Sequence, residues 1–225
     1  MSFYECISVF PEGTSSASRM ALTARTLGYK GIIICNRDPA RIFMPQAAEK
    51  IRGIEVAVGA EVTASGSKAL KSRISALRSR YPFIVVRAGS EETIRVASED
   101  PNVDLLIHPC DFRRPIAIAT ARAAKSNQIC IGFDLSGLVL LRGSSRSRWL
   151  AALRKNLQMV RKFDLSPIIT ASATCHLDMH SPRDLIAMAE VAGFEADEAK
   201  EALRRSGKLL ELNRRNWVAG GVELL

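Results

Sequence analysis

Short segments rich in β-branched residues recur along the whole sequence, and each is followed by a longer segment with helical spacing. Several short segments are continuous apolar runs, such as Ile32-Ile33-Ile34, which are typical of strands buried on both faces of a parallel sheet. The alternation predicts an α/β fold, a TIM-like barrel that is irregular because a clear eighth strand is missing; a doubly wound open sheet is the second interpretation. The seven candidate strands cover residues 4–9, 31–35, 54–62, 83–87, 103–108, 129–135 and 167–171.

The intervening segments carry helix signals. Ser181-Pro182-Arg183-Asp184 is a strong helix start, with a capping serine, a proline at the first position and an acid at the third. Near the C-terminus we expect two helices, 197–205 and 206–215, broken around Gly207. No linker rich in Pro, Gly or Ser divides the 225 residues, so we expect a single domain over residues 1–225 that ends in helices. The other predicted helices cover residues 15–27, 67–80, 90–98, 115–127 and 144–163.

Composition and local patterns exclude several classes of protein. The longest stretch without a charged side chain is residues 165–177, thirteen residues, whereas a membrane span needs about 18. The N-terminal residues lack a basic leader followed by an apolar run, so we expect a cytoplasmic protein with no membrane partner. The five cysteines are scattered without a Cys-x-x-Cys pair, and we interpret them as core thiols.

Chemistry in a barrel takes place where its strands end, and polar residues do follow several predicted strands. Glu61 and Asp134 are isolated acids, which we interpret as hydrogen-bonded carboxylates at the barrel rim. Phosphate-binding, dinucleotide-binding and serine-nucleophile motifs are missing from the sequence, so we expect neither a cofactor nor a catalytic site. The metal-like candidates are His108, Asp111, His176, Asp178 and His180, but the last three precede the helix start at Ser181, and we expect no metal site.

The positive charge of the chain is concentrated in one window. Formal net charge is +9, yet residues 113–162 contain eleven basic residues and only one acid, Asp134, so the remainder of the chain is nearly neutral. One concentrated basic stretch is the pattern expected for a protein that binds a polyanion.

The predicted helix within this window is amphipathic. Leu150, Leu153, Leu157 and Val160 fall on one arc, while Arg148, Lys155 and Lys162 form a stripe of period seven on the opposite side. Arg142 and Arg146 flank the small residues at the helix start, where backbone N–H groups also favour anions. Aromatic residues make up only 6% of the chain, so contacts with phosphates and with the shape of a folded RNA fit better than base stacking.

A series of segments in this order and spacing resembles the archaeal ribonuclease P protein component 3 family, whose eukaryotic relatives are the thirty-kilodalton ribonuclease P subunits. The likeness extends over roughly residues 3–212. The segments that carry it are His108-Pro109-Cys110-Asp111, Phe112-Arg113-Arg114-Pro115-Ile116-Ala117, Phe133-Asp134-Leu135-Ser136-Gly137-Leu138, Arg142-Gly143-Ser144-Ser145-Arg146, Asn156-Leu157, Val160-Arg161-Lys162-Phe163, Thr170-Ala171-Ser172-Ala173 and Ser181-Pro182-Arg183-Asp184-Leu185.

The resemblance implies a TIM-like barrel that serves as a non-catalytic subunit of ribonuclease P, the ribonucleoprotein that removes the 5′ leader from precursor tRNA. The RNA would be the catalyst and would hold the Mg²⁺, and the implied partners are this RNA, protein component 2, the other protein subunits and, indirectly, precursor tRNA. The RNA-contact residues predicted from the charge pattern and the resemblance together are Arg113, Arg114, Arg142, Arg146, Arg148, Lys155, Lys162 and Arg183.

The alternative is a stand-alone metal-dependent phosphoesterase of the polymerase-and-histidinol-phosphatase type, which has a similar barrel. Those hydrolases carry a His-x-His motif after the first strand. Here that stretch is Ser8-Val9-Phe10-Pro11-Glu12, without a histidine. This departure agrees with the expectation that the chain has no metal site.

Overall fold

Parallel strands and helices alternate along the chain in the computed structural model. The structure describes residues 2–43, 51–107 and 115–215, together with the backbone of 217–219 and 222–223. Eight strands pair in parallel, in the orders β1-β2-β3 and β4-β5-β6-β7-β8. They are β1 (Tyr4–Ile7), β2 (Gly31–Ile34), β3 (Glu55–Val58), β4 (Ala60–Val62), β5 (Ile84–Arg87), β6 (Leu105–Ile107), β7 (Cys130–Asp134) and β8 (Pro167–Thr170).

Helices connect the strands and cover them on the outside. Ser16, Ser90 and Ser181 cap the first turns of α1, α3 and α7 with their side chains, and Ser181 forms the predicted reciprocal pair with Asp184. Trp217–Ala219 (β9) and Val222–Glu223 (β10) form an antiparallel pair that the sequence patterns did not predict. The helices are α1 (Ala17–Thr26), α2 (Ser67–Arg78), α3 (Glu91–Glu99), α4 (Ile118–Ser126), α5 (Ser136–Leu140), α6 (Gly143–Lys162), α7 (Pro182–Val191) and α8 (Ala196–Asn213).

The predicted third strand, residues 54–62, is divided at Gly59 into β3 and β4. As far as Gly59 this segment pairs with β2, and the Gly59 N–H donates to the Ile34 carbonyl at 2.9 Å. From Ala60 onwards it pairs with β5, because the Ala60 N–H donates to the Phe83 carbonyl at 2.9 Å. A side chain at position 59 would lie 2.6 Å from that carbonyl oxygen, so glycine is needed at the change of partner. The divided strand occupies one place in the barrel, which therefore has seven strand positions.

Two layers of apolar side chains result from the alternation along the strands. One set points into the barrel and includes Ile33, Phe83, Val85, Leu105 and Ile168. The larger set lies between the strands and the helices. This arrangement of a filled interior and an outer helical layer is that of a TIM-like barrel.

Helix α8 lies across the amino-terminal ends of the strands and is one continuous helix, so the predicted break at Gly207 is wrong. The ring of Tyr4 lies where a side chain at position 207 would be, so glycine permits close contact rather than ending the helix. The Ser206 hydroxyl donates to the Tyr4 carbonyl at 2.9 Å, and Arg205 donates to the Pro167 carbonyl at 2.9 Å. The helix thereby connects the starts of β1 and β8.

Side chains also close the barrel between β1 and β8. The buried Glu5 carboxylate accepts hydrogen bonds from the Thr170 hydroxyl at 2.7 Å and from the Ala171 N–H at 2.8 Å through one oxygen, Oε1. Its other oxygen, Oε2, is buried without a hydrogen-bond partner. Burial raises the pKa of Glu5 to about 8, although its hydrogen bonds to Thr170 and Ala171 partly counteract the increase.

We predict that replacing Glu5 by Gln reduces the loss of stability between pH 5 and pH 8. The folded-state pKa of about 8 exceeds the ordinary value of 4.5, so the contribution of Glu5 to stability is fully present below pH 4.5 and is lost as the pH rises through 8. The associated slope approaches about 1.4 kcal/mol per pH unit. Urea unfolding at several pH values measures it, with Glu190→Gln on the exposed surface as the control. Parallel stability profiles for the wild type and Glu5→Gln would contradict this assignment.

Candidate nucleic-acid interface

Helix α6 contains four of the eight predicted RNA-contact residues, and packing fixes which of its faces meets solvent. Leu153, Leu157 and Val160 are buried against the outer layer of the barrel. Trp149 packs over Gly137, and its indole N–H donates to the Asp134 carbonyl at 2.9 Å. These contacts prevent rotation of the helix about its axis, so the side opposite the buried face stays exposed.

Three arginines of α6 bind neighbouring parts of the chain. Arg146 donates to the Leu141 carbonyl at 2.8 Å, and Arg154 donates to the Val191 carbonyl at 3.0 Å. Arg161 donates to the Gly193 carbonyl at 2.9 Å and forms an ion pair with Glu198 at 2.6 Å. Their guanidinium groups therefore attach α6 to the preceding loop, to the end of α7 and to α8.

The other four basic residues of α6 and the position before it are exposed; they are Arg142, Arg148, Lys155 and Lys162. Arg148 contacts only the Ser145 hydroxyl at 3.2 Å among its hydrogen-bond partners, and Lys162 lies 5.8 Å from the ring centre of Phe163. In the described ranges, Arg142, Arg148, Lys155 and Lys162 form no ion pair with an acidic side chain. Arg148, Lys155 and Lys162 remain the predicted stripe, hereafter the α6 stripe, with residues about 10 Å apart along the helix axis.

The other predicted contacts lie elsewhere or outside the described residues. Arg183 is exposed at the second position of α7, in a shallow depression that Leu27 at the end of α1 and Lys200 of α8 also line, so it does not belong to the α6 stripe. Arg113 and Arg114, as well as His108 and Asp111, lie outside the residues that the structure describes.

At the carboxyl ends of the strands, an ionic network surrounds Arg87. Its Nε donates to Glu61 at 3.0 Å, and its Nη1 donates to Asp134 at 3.0 Å. Its Nη2 reaches the Ser172 hydroxyl at 3.1 Å, while Arg37 approaches Glu61 at 3.4 Å. Burial would lower the pKa of Arg87, but the charges of Glu61 and Asp134 outweigh that effect and raise it above its ordinary value.

This network occupies the floor of a cavity of about 460 Å³ at the barrel mouth, the usual place for chemistry in such barrels. Glu61 and Asp134 are the rim carboxylates predicted from the sequence, and the structure confirms that both are hydrogen-bonded. Both acids pair with the Arg87 guanidinium, and Glu61 also pairs with Arg37, so the two negative charges are balanced by two positive ones. The parts of the chain described here contain no group of three or more His, Cys, Asp or Glu side chains able to hold a metal ion.

The histidine-containing loop after β8 divides its three metal-like candidates between two surroundings. His176 Nδ1 lies 2.9 Å from the Ser15 hydroxyl and its Nε2 lies 3.4 Å from Arg19, so the ring faces α1. Asp178 and His180 border the mouth cavity.

Arg87 is the mouth residue that the motif search missed. Along β5 the side chains of Phe83 and Val85 point into the barrel, and Arg87 is the next residue of the same parity. Strand alternation indicates that the Arg87 side chain points into the barrel, but not which residues it meets there.

Helices within the described residues include none that is long and apolar enough to cross a membrane. The fold is a TIM-like barrel with a row of exposed bases along α6 and an arginine-centred ion cluster at its mouth. The sequence matches the family described as RNase P subunit p30 over residues 3–217, and the chain belongs to this family.

Two curated relatives illustrate the relationship. Both are described as ribonuclease P protein component 3. The Methanosarcina mazei protein is 34% identical over 228 residues, which cover 99% of this chain and 95% of the relative. The Haloarcula marismortui protein is 33% identical over 221 residues, which cover 98% and 94% of the two chains.

Solved structures agree on the fold. A chain in the cryo-EM structure of an archaeal ribonuclease P with mature tRNA superimposes with a TM-score of 0.83, at 23% identity over 98% of both chains. Histidinol phosphate phosphatase from Lactococcus lactis superimposes with a TM-score of 0.55, at 13% identity over 86% of this chain and 94% of its own. The predicted TIM-like barrel is therefore confirmed.

We predict that Arg87→Met destabilises the protein by about 3 kcal/mol, because it leaves Glu61 and Asp134 close together without their cation. Neutralising both acids as well, in the triple variant Glu61→Gln, Arg87→Met, Asp134→Asn, should restore most of the lost stability. Urea unfolding of the wild type and both variants tests the coupling. Equal stability of the wild type and Arg87→Met would rule out the network as a stabilising element.

Proposed function

We propose that this chain is a non-catalytic protein subunit of ribonuclease P that binds and stabilises the catalytic RNA through the α6 stripe. The observation that carries this proposal is a stripe of exposed bases with no acidic partner among the described residues, on a chain of the p30 family. The RNA supplies the catalytic groups and the Mg²⁺ sites, and the protein supplies fixed positive charge. The structure of an archaeal ribonuclease P that contains a similar chain also contains mature tRNA.

The physical basis is the neutralisation of phosphates. Lysine and arginine side chains that meet a nucleic-acid backbone release bound counterions, which gives sequence-independent affinity that falls with salt. A helix that presents bases about 10 Å apart can contact several phosphates at once. Arg142 lies one residue before α6 and extends the basic surface, whereas Arg146 has its Nε bound to the preceding loop.

Arg113, Arg114, Arg146 and Arg183 remain in the proposed contact set. Arg146 keeps a partly exposed guanidinium group at the α6 start, and Arg183 is exposed on α7. We infer that the direct protein partner is ribonuclease P protein component 2, with the other protein subunits and precursor tRNA in the same assembly. We also infer a cytoplasmic location, which the archaeal origin of the relatives supports.

Reconstitution tests the assignment to ribonuclease P. We expect this chain, added with component 2 to the ribonuclease P RNA of the same organism, to allow leader cleavage at a lower Mg²⁺ concentration than the RNA alone requires. The reason is that protein cations replace part of the metal ions that fold and stabilise the RNA. The rate of precursor-tRNA cleavage across a Mg²⁺ titration is the measurement, and omission of this chain is the control. An unchanged Mg²⁺ requirement would refute the proposed function.

The double variant Lys155→Ala, Lys162→Ala tests the α6 stripe. It should bind the RNA more weakly, and the slope of log K against log salt concentration should become shallower by about one to two units, one for each lost phosphate contact. The matched control is Lys68→Ala, Lys71→Ala, which removes the same charge from exposed positions of α2. If both double variants had the same slope as the wild type, the α6 stripe would not be an RNA contact.

A further inference from the structure

A second concentration of bases lies in the last turns of α8, far along the chain from the α6 stripe. Residues 204–215 contain five bases and a single acid, Glu211. The net charge of the whole chain outside residues 113–162 conceals this segment, because acids elsewhere cancel it. Since α8 crosses the amino-terminal ends of the strands, these bases gather at the end of the barrel opposite the mouth.

The bases line two neighbouring cavities that share Lys208 and Glu211, and we call the pair the α8 groove. The first cavity, of about 590 Å³, lies beside the starts of β1, β2 and β3. The second cavity, of about 700 Å³, lies beside the starts of β7 and β8. The basic residues that line the groove are Lys30, Lys125, Arg204, Arg205, Lys208, Arg214 and Arg215, and the acidic ones are Glu55, Asp164 and Glu211.

The acids of the groove are largely neutralised by their neighbours. Glu55 pairs with Arg214 and also accepts the Tyr4 hydroxyl at 2.6 Å. Asp164 pairs with Lys125 at 2.6 Å. These pairs remove two of the three negative charges. Arg205 and Lys208 share one further acid, Glu201 of α8, at 3.9 Å and 2.7 Å, so the four cations Lys30, Arg204, Arg205 and Lys208 keep a net positive charge.

Two of these four cations project from exposed positions, and one is held by an aromatic ring. Lys30 and Lys208 are exposed, and Lys208 approaches Glu201 at 2.7 Å on the outer side of α8. The Arg204 guanidinium lies 5.5 Å from the ring centre of Phe3, and its Nε is buried without a hydrogen-bond partner. The Arg204 guanidinium and the two exposed lysines line the same cavity, and all three are groups that bind phosphate oxygens.

We propose that the α8 groove binds the phosphate backbone of RNA and is a second RNA-contact surface of this protein. This inference rests on the proposed function, because the RNA is taken to be the one the subunit stabilises. The α6 stripe leads towards the groove, since α6 ends at Lys162 and the residues that follow it, Asp164 to Ser166, line the second cavity. The two surfaces thus offer a path for RNA from the side of the barrel to its amino-terminal end.

The composition of the groove favours RNA over an acidic protein segment. Protein interfaces are depleted in lysine at their centres, whereas contacts with phosphates use lysine and arginine. The groove has three lysines and four arginines. Its apolar lining residues are Leu209, Leu210 and Leu212 of α8 and, from elsewhere, Tyr4, Ala124, Ile129, Cys130 and Leu165.

The test uses the full chain and a full-length transcript of the ribonuclease P RNA of the same organism. Three double variants are compared with the wild type in binding titrations at several salt concentrations: Lys30→Ala, Lys208→Ala in the groove, Lys155→Ala, Lys162→Ala in the α6 stripe, and Lys68→Ala, Lys71→Ala as the control. All six lysines are exposed, so the folded state should be preserved, and circular dichroism with thermal unfolding verifies this. We expect the groove variant to lose affinity several-fold and its salt slope to become shallower by about one to two units, and the control to match the wild type.

The outcomes separate this inference from the proposed function. A groove variant with the wild-type slope, in an experiment in which the wild type binds and the stripe variant weakens binding, would overturn the α8 groove and leave the function intact. Failure of the wild type to bind the RNA would overturn both. Unchanged RNA binding together with weakened binding of component 2 would assign the groove to a protein partner and overturn the RNA proposal. Additive losses in the combined groove and stripe variant would support two separate surfaces.

Discussion

The ion network around Arg87 joins more parts of this barrel than any other polar contact described above. Glu61 belongs to β4, Arg87 to β5 and Asp134 to β7, and Ser172 follows β8, so one guanidinium holds four strand positions at the barrel mouth. Asp134 also fixes the outer layer, because its carbonyl accepts the Trp149 indole N–H and thereby sets the rotation of α6. The exposure of the α6 stripe therefore depends on an ion cluster on the inner side of the sheet.

Different contacts close the barrel at the two ends of the interface between β1 and β8. Towards the carboxyl ends, the Glu5 carboxylate and the hydrogen bond from the Ser8 N–H to the Ala173 carbonyl, at 3.0 Å, join the two sides. At the amino ends, α8 covers the seam and contacts the backbone of both strands. Because α8 is needed there, its buried face is fixed, and Lys208 is held on its exposed side.

The sequence patterns predicted what depends on periodicity and failed where one side chain decides the local geometry. Seven strand positions and the amphipathic α6 follow from the spacing of apolar residues, and the structure agrees with both. The roles of Gly59 and Gly207 do not follow from the spacing of apolar residues. One permits a change of strand partner and the other permits contact with the Tyr4 ring, and both effects depend on residues distant in the sequence. Arg87 was predictable from strand parity, but only with knowledge that its neighbours in the barrel are acidic.

The net charge of a sequence segment does not show how many of its basic residues the fold leaves exposed. The window 113–162 contains nearly all of the excess, yet Arg146, Arg154 and Arg161 within it bind carbonyl groups or acids and hold α6 in place. The segment 204–215 has five bases and one acid, which acids elsewhere in the chain offset, and the fold places these bases beside Lys30, far away in sequence. Since an RNA backbone meets only the charges that the fold leaves exposed, the bases free of structural duties define the electrostatic surface better than the total does. By that criterion the positive face of this barrel includes the solvent side of α6 and, at the strand ends beneath α8, the exposed Lys30.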